Sequence, residues 1–155
     1  MKEKQGFFKS IKIIHLALFL GQAFFGAIVY FLNKDSWKYE FSTSNHLLLV
    51  PAIATLVALF AHRIVYKKVL SQAKSKATLA EKLGDFQGAC IIQFALIEGT
   101  SILCIIFAMK TQNIYSLLLA VALLLYFTTL KPTKEKAITD LELNKEEREA
   151  LNRNY

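Results

Sequence analysis

Residues 88–109 read GACIIQFALIEGTSILCIIFAM. On a helix rising 1.5 Å per residue this run is about 33 Å long, which matches the hydrocarbon thickness of a bilayer. Its one charged group is Glu98, the eleventh of its 22 residues. A short apolar run would fit a buried strand or a core helix. A run this long, broken by a single ionisable residue, predicts a transmembrane helix with an acid at mid-depth.

Three further blocks have the same character. They are IIHLALFLGQAFFGAIVYFL (13–32), LLLVPAIATLVALFAHRIVY (47–66) and IYSLLLAVALLLYFTTL (114–130). The last stops where Lys131-Pro132 breaks helix continuity. The chain is 54% hydrophobic, with a mean hydropathy of +0.36, and these residues are concentrated in the four blocks. The expected fold is all-α, a four-span transmembrane helix bundle at residues 1–130, followed by a cytoplasmic tail at 131–155.

The net charge of +7 suits nucleic acid in a soluble protein, but here its distribution argues otherwise. Sixteen Lys and Arg flank one side of the spans: Lys2 to Lys12, Arg63 to Lys82, and Lys131 onward. Only Lys34, Lys38 and Lys110 flank the other. By the positive-inside bias both termini and the middle loop are cytoplasmic, so the expectation is a multi-pass protein of the cell (inner or plasma) membrane. Its partners are then the lipid bilayer and a second copy or another membrane protein, with no role for nucleic acid. Tyr30, Trp37, Tyr39 and Tyr115 mark the outer interface, and Tyr66 and Tyr126 the inner one. The apolar core of the first block exceeds that of a cleavable signal, which predicts a retained span.

Shifting the chain by 78 residues reveals a repeat. Glu3, Lys4, Gly6, Phe8, Ile13, Ile14, Ala17, Leu18, Gly21 and Ile28 meet identical residues at 81, 82, 84, 86, 91, 92, 95, 96, 99 and 106, ten identities in 26 columns. A weaker match at an offset of 68 sets Asn45, Leu49, Ala52, Ala54 and Leu56 on Asn113, Leu117, Ala120, Ala122 and Leu124. Residues 1–68 and 79–130 thus read as two parallel-repeat helical hairpins. Ala17-x-x-x-Gly21 aligns with Ala95-x-x-x-Gly99, and small residues at this spacing predict a close crossing of the first and third spans.

The halves differ at Glu98, which faces Leu20 in the repeat. A charged acid at mid-membrane costs at least about 2.5 kcal/mol, so it is expected to be protonated or partnered. Gln22 and Thr55 share its depth; His15 and Gln93 lie nearer the cytoplasm. Together they outline a polar file from the cytoplasmic surface to the midplane. Two functions fit. Glu98 handles a proton or cation as part of a transport component, or it is a neutral hydrogen-bonding lock in a non-catalytic scaffold or assembly protein.

Elsewhere the expectations are plainer. Lys67–Phe86 reads as an interfacial helix or a continuation of the second span. His62-Arg63 reads as a pair snorkelling to the interface. The tail is expected to be solvated, with docking through Ile138, Leu141, Leu143 and Leu151 as the alternative. Thr133 and the Asn144/Glu147 pair are expected helix caps. Nothing in the sequence resembles a nucleophile elbow, a phosphate loop or a metal-ligand cluster, so an enzyme, a cofactor and a metal are not expected.

The stretch FALIEGTSILCIIFA (94–108) resembles the carboxylate helix of the proteolipid ring subunits of rotary ATPases. Some of these are duplicated hairpins of similar length. The resemblance implies that Glu98 binds the ion. The chain departs from that family in its six glycines and many bulky side chains. The acid also sits on the first helix of its hairpin, where the family carries it on the second.

Overall fold

The computed structural model describes residues 6–40 and 48–155. Lys2, Glu3, Lys4, Asn45 and Leu47 lie outside the described residues. Six helices follow one another: α1 (Phe7–Leu32), α2 (Leu49–Lys74), α3 (Leu79–Thr111), α4 (Ile114–Thr129), α5 (Lys134–Asp140) and α6 (Lys145–Asn154). Among the described residues the only β feature is an isolated bridge between Lys38 and Asn113. Three helices, α1 to α3, are long and apolar enough to cross a membrane. A fourth candidate is α4 taken with α5, across an 81° bend.

Local chemistry sets the boundaries. Pro51 occupies the first turn of α2, where its missing N–H is not needed. At the start of α3, Thr78 and Glu81 form a reciprocal capping box. Gln112 ends α3 in the left-handed conformation at φ 54°, and the Asn113 side chain accepts from the Tyr115 amide at 2.9 Å to start α4. The Lys131-Pro132 stop falls just past the end of α4. Thr133 caps α5, and Asn144 with Glu147 boxes the start of α6.

Helix α3 is the centre of the bundle and packs against α1, α2 and α4; α1 and α2 also flank α4, but scarcely touch one another. Large apolar side chains interlock along the middle: Phe86, Phe94, Ile97 and Ile105 of α3 with Leu123 and Phe127 of α4. The outward surface is also apolar, with Phe24, Phe60, Ile64 and Leu125 each at least 65% exposed. An apolar rind around an apolar core is stable in lipid and a liability in water.

Two expectations need correction here. Of the two readings of residues 67–86, the separate interfacial helix is not formed and the continuation of the second span holds as far as Lys74, with α3 starting afresh at Leu79. The tail is docked, not solvated. Ala137, Leu141, Leu143 and Leu151 are buried in the same core, at the terminal end of the bundle, where α1 and α3 begin. Tyr66 donates to Asp140 at 2.6 Å, Lys82 pairs with Glu147 at 2.7 Å, and Phe7 meets Tyr155 edge-on. Leucines too sparse to show a period are thereby gathered on one surface.

Candidate functional site

The small residues of the two aligned motifs do not bring α1 and α3 together. Ala17, Gly21, Ala95 and Gly99 all lie on exposed surface. A Cβ added at Gly21 or Gly99 would meet nothing within 4 Å. The close approach of α1 to α3 falls instead at Gly26, where an added Cβ would sit 3.7 Å from the Ile105 side chain. Bulk decides this: Phe8 packs near Phe86 at 6.5 Å and His15 against Phe94 at 5.0 Å. Rings of that size hold the two backbones apart.

Glu98 is half-buried and lies beside the exposed residues of α3, Ile91, Ile92, Ala95, Gly99 and Ile106. Spacings of three, four and seven put Ile92, Ala95, Gly99 and Ile106 on one strip of the helix, with Glu98 on its flank. Among the described residues its carboxyl has no hydrogen-bond or ion-pair partner. The expected partners are engaged elsewhere. Gln22 donates to the Leu18 carbonyl at 3.3 Å on its own helix. Thr55 donates to the Pro51 carbonyl at 2.8 Å, with the Cys104 sulfur 3.6 Å away. A carbonyl only accepts, so the Gln22 amide nitrogen must face Leu18, which leaves its Oε1 buried and unpartnered. The polar file from the surface to the midplane is therefore not continuous.

Nearer the terminal end the structure assembles a polar cluster of different membership. His62 is buried at 1% exposure, turned inward instead of snorkelling. Its Nδ1 lies 3.1 Å from the Gln93 amide and its Nε2 2.9 Å from the Tyr126 hydroxyl. The Gln93 amide nitrogen only donates, so His62 Nδ1 accepts and Nε2 carries the ring proton towards the Tyr126 hydroxyl. Arg63 points outward and reaches the same hydroxyl at 3.5 Å. His15 stands apart from Gln93: its Nε2 donates to the Phe127 carbonyl at 2.9 Å, and its ring stacks on Phe127 at 4.5 Å. The place of Gln93 opposite His15 in the repeat gave no hint of His62, which comes from α2, between α1 and α3 in the chain.

No family model matches the chain, and neither a curated relative nor a solved structure is similar to it. Among the described residues no group of three or more His, Cys, Asp or Glu is placed to hold a metal ion.

Proposed function

We propose that the chain is a four-span integral membrane protein with both termini cytoplasmic, and that it serves as a non-catalytic assembly or scaffold element. The helix docked on it lies along the open strip of α3, and Glu98, in its neutral form, supplies the hydrogen bond that locks that helix in place. One observation carries this reading. An acid at mid-span has no partner among the described residues, and it borders a strip where Gly99 and Ala95 leave room for another backbone. The docked helix belongs to a second copy or to another membrane protein.

The sixteen-to-three distribution of basic residues supports the orientation. The repeat supports descent from a duplicated hairpin. The aligned Phe8 and Phe86 meet near the terminal end, and the aligned Gly21 and Gly99 both stay open. The packing has since diverged, with α3 and not α1 at the centre.

Proton or cation handling, which the proteolipid resemblance implies, rests on the same carboxyl, and the two readings separate experimentally. A photo-crosslinking residue is placed at Gly99, where there is open space, and for comparison at Ile64 on α2. Protein adducts in native membranes are expected from position 99. They should survive Glu98→Gln, which keeps a hydrogen-bonding amide, and vanish in Glu98→Leu. Adducts to lipid alone from both positions refute the assembly reading. Carbodiimide labelling of Glu98 that a cation blocks would establish ion handling in its place.

A further inference from the structure

At the terminal end a cleft of about 380 Å³ opens between α1 and α4, lined by Lys12, His15, Leu16, Phe19, Thr128 and Lys131. We infer that this cleft is a binding site for one anionic phospholipid, its phosphate held between Lys12 and Lys131 and one acyl chain laid along Leu16 and Phe19.

The lining is ordered by depth. Lys12 immediately precedes the first apolar block, and Lys131 immediately follows the fourth. Both ammonium groups therefore sit where headgroup phosphates lie. From Lys12 to Phe19 the helix descends about 10 Å, and along that descent Leu16 is 55% exposed. A cationic rim above an apolar wall complements a phosphate followed by a hydrocarbon chain. A free anion would use the rim and leave the wall bare.

The polar groups between are fixed in role. His15 spends its Nε2 proton on the Phe127 carbonyl, and stacking on Phe127 holds its ring as the back of the cleft. Thr128 donates to the Leu125 carbonyl at 2.7 Å, so towards the cleft its hydroxyl can only accept. It suits a headgroup that carries a hydroxyl donor, such as phosphatidylglycerol. The surrounding charge is mostly positive. Lys134 and Lys136 follow on α5, and among the described residues the acid beside Lys12 is Glu135, whose carboxyl is held below its ordinary range by its own helix-start amide, the Thr133 hydroxyl, Lys12 and Lys134.

The inference rests on the chain spanning a bilayer, which alkaline extraction of the wild-type protein from membranes tests separately. The full chain is purified in micelles containing equal phosphatidylglycerol and phosphatidylcholine, and retained lipid is counted by native mass spectrometry. Each lysine contributes roughly a fivefold preference for anionic lipid, so Lys12→Gln with Lys131→Gln should cut the preference about 25-fold, and Lys12→Arg with Lys131→Arg should keep it. Glu98→Leu should also keep it, which separates this site from the α3 strip. Circular dichroism of each variant confirms helix content. An unchanged preference in the double Gln variant, or an equal loss on Lys67→Gln with Lys68→Gln, overturns the site. Complete displacement of the lipid by inorganic phosphate would make the cleft a free-anion site and overturn the lipid assignment.

Discussion

Glu147→Gln tests how the tail is held. Glu147 has two tasks. One carboxylate oxygen accepts from the Asn144 backbone amide at 3.0 Å, closing the capping box of α6. The other accepts from Lys82 at 2.7 Å, tying α6 to the start of α3. Glutamine keeps an oxygen for the cap and removes the charge, so the substitution isolates the ion pair. The two side chains are only 13% and 17% exposed. A charge-assisted hydrogen bond in such a setting is worth about 1–2 kcal/mol, more than the 0–1 of a fully solvated pair. Lys74–Glu142, at 37% and 73% exposed, is the solvated comparison.

The assay is amide hydrogen exchange across α6 in detergent micelles, which reads the opening equilibrium of that segment. Loss of 1–2 kcal/mol should speed exchange in α6 by roughly 5–30-fold, while the middle of α3 keeps its protection. Glu142→Gln should change it by only a few-fold at most. The pH dependence has a definite sign. Lys82, and then the Asn144 amide, hold the Glu147 carboxyl below its ordinary range. The folded value is depressed, so the stabilisation is present above the ordinary carboxylate value of about 4.3 and is lost as pH falls through the lower folded value. Wild-type α6 should lose protection across that acidic window, and Glu147→Gln should show no such step. Less than a twofold change at neutral pH would refute a docking role for the pair and leave the buried leucines to hold the tail alone.

Two other substitutions bear on the interior and the open strip. Gln93→Leu removes the amide facing His62 Nδ1 and leaves that buried nitrogen unsatisfied, at a cost of about 1–3 kcal/mol; the thermal midpoint in detergent should fall, and an unchanged midpoint would show that the contact carries no weight. Gly99→Ala fills open space on a helix. It should leave the monomer as stable or raise it by up to about 1 kcal/mol, so a lowered midpoint would mean that α1 packs on this face after all.

The apolar blocks and several helix ends were legible in the sequence because their causes are local, whereas α1 and α3 start before their blocks and α2 runs past its own. Long apolar runs, the Lys131-Pro132 stop, the Thr133 cap and the Asn144/Glu147 box all act within a few residues of where they are read. The inward face of each helix was not legible. A helix that is apolar on every side carries little periodic signal, and the alternation that would mark a core face in water is missing. Hence Ala17-x-x-x-Gly21 and Ala95-x-x-x-Gly99, which resemble packing motifs, face outward. His62, beside an arginine at a helix end, looks like an interfacial residue and is instead among the most buried side chains. The tail was misread for the opposite reason: Leu141, Leu143 and Leu151 are scattered in a charged segment, and only the fold puts them on one surface.

Glu98 is also the point at which the bundle's architecture and its chemistry meet. Helix α3 already touches every other long helix, yet one side of it remains uncovered, because α1 and α2 lie to either side of α4 and not around the back of α3. A bundle built only to satisfy itself has no use for an acid beside that uncovered side; a leucine, as at the matching position 20, would cost nothing in lipid. A charged carboxyl there costs at least about 2.5 kcal/mol, which protonation avoids, and a neighbouring helix with one hydrogen-bonding side chain gives the neutral acid about 1–2 kcal/mol. A permanent proton removes the charge without filling the strip, and an ion would need further ligands, which Gln22 and Thr55 do not supply from their present positions. A docked helix meets both requirements at once, by covering the strip and offering the carboxyl a partner.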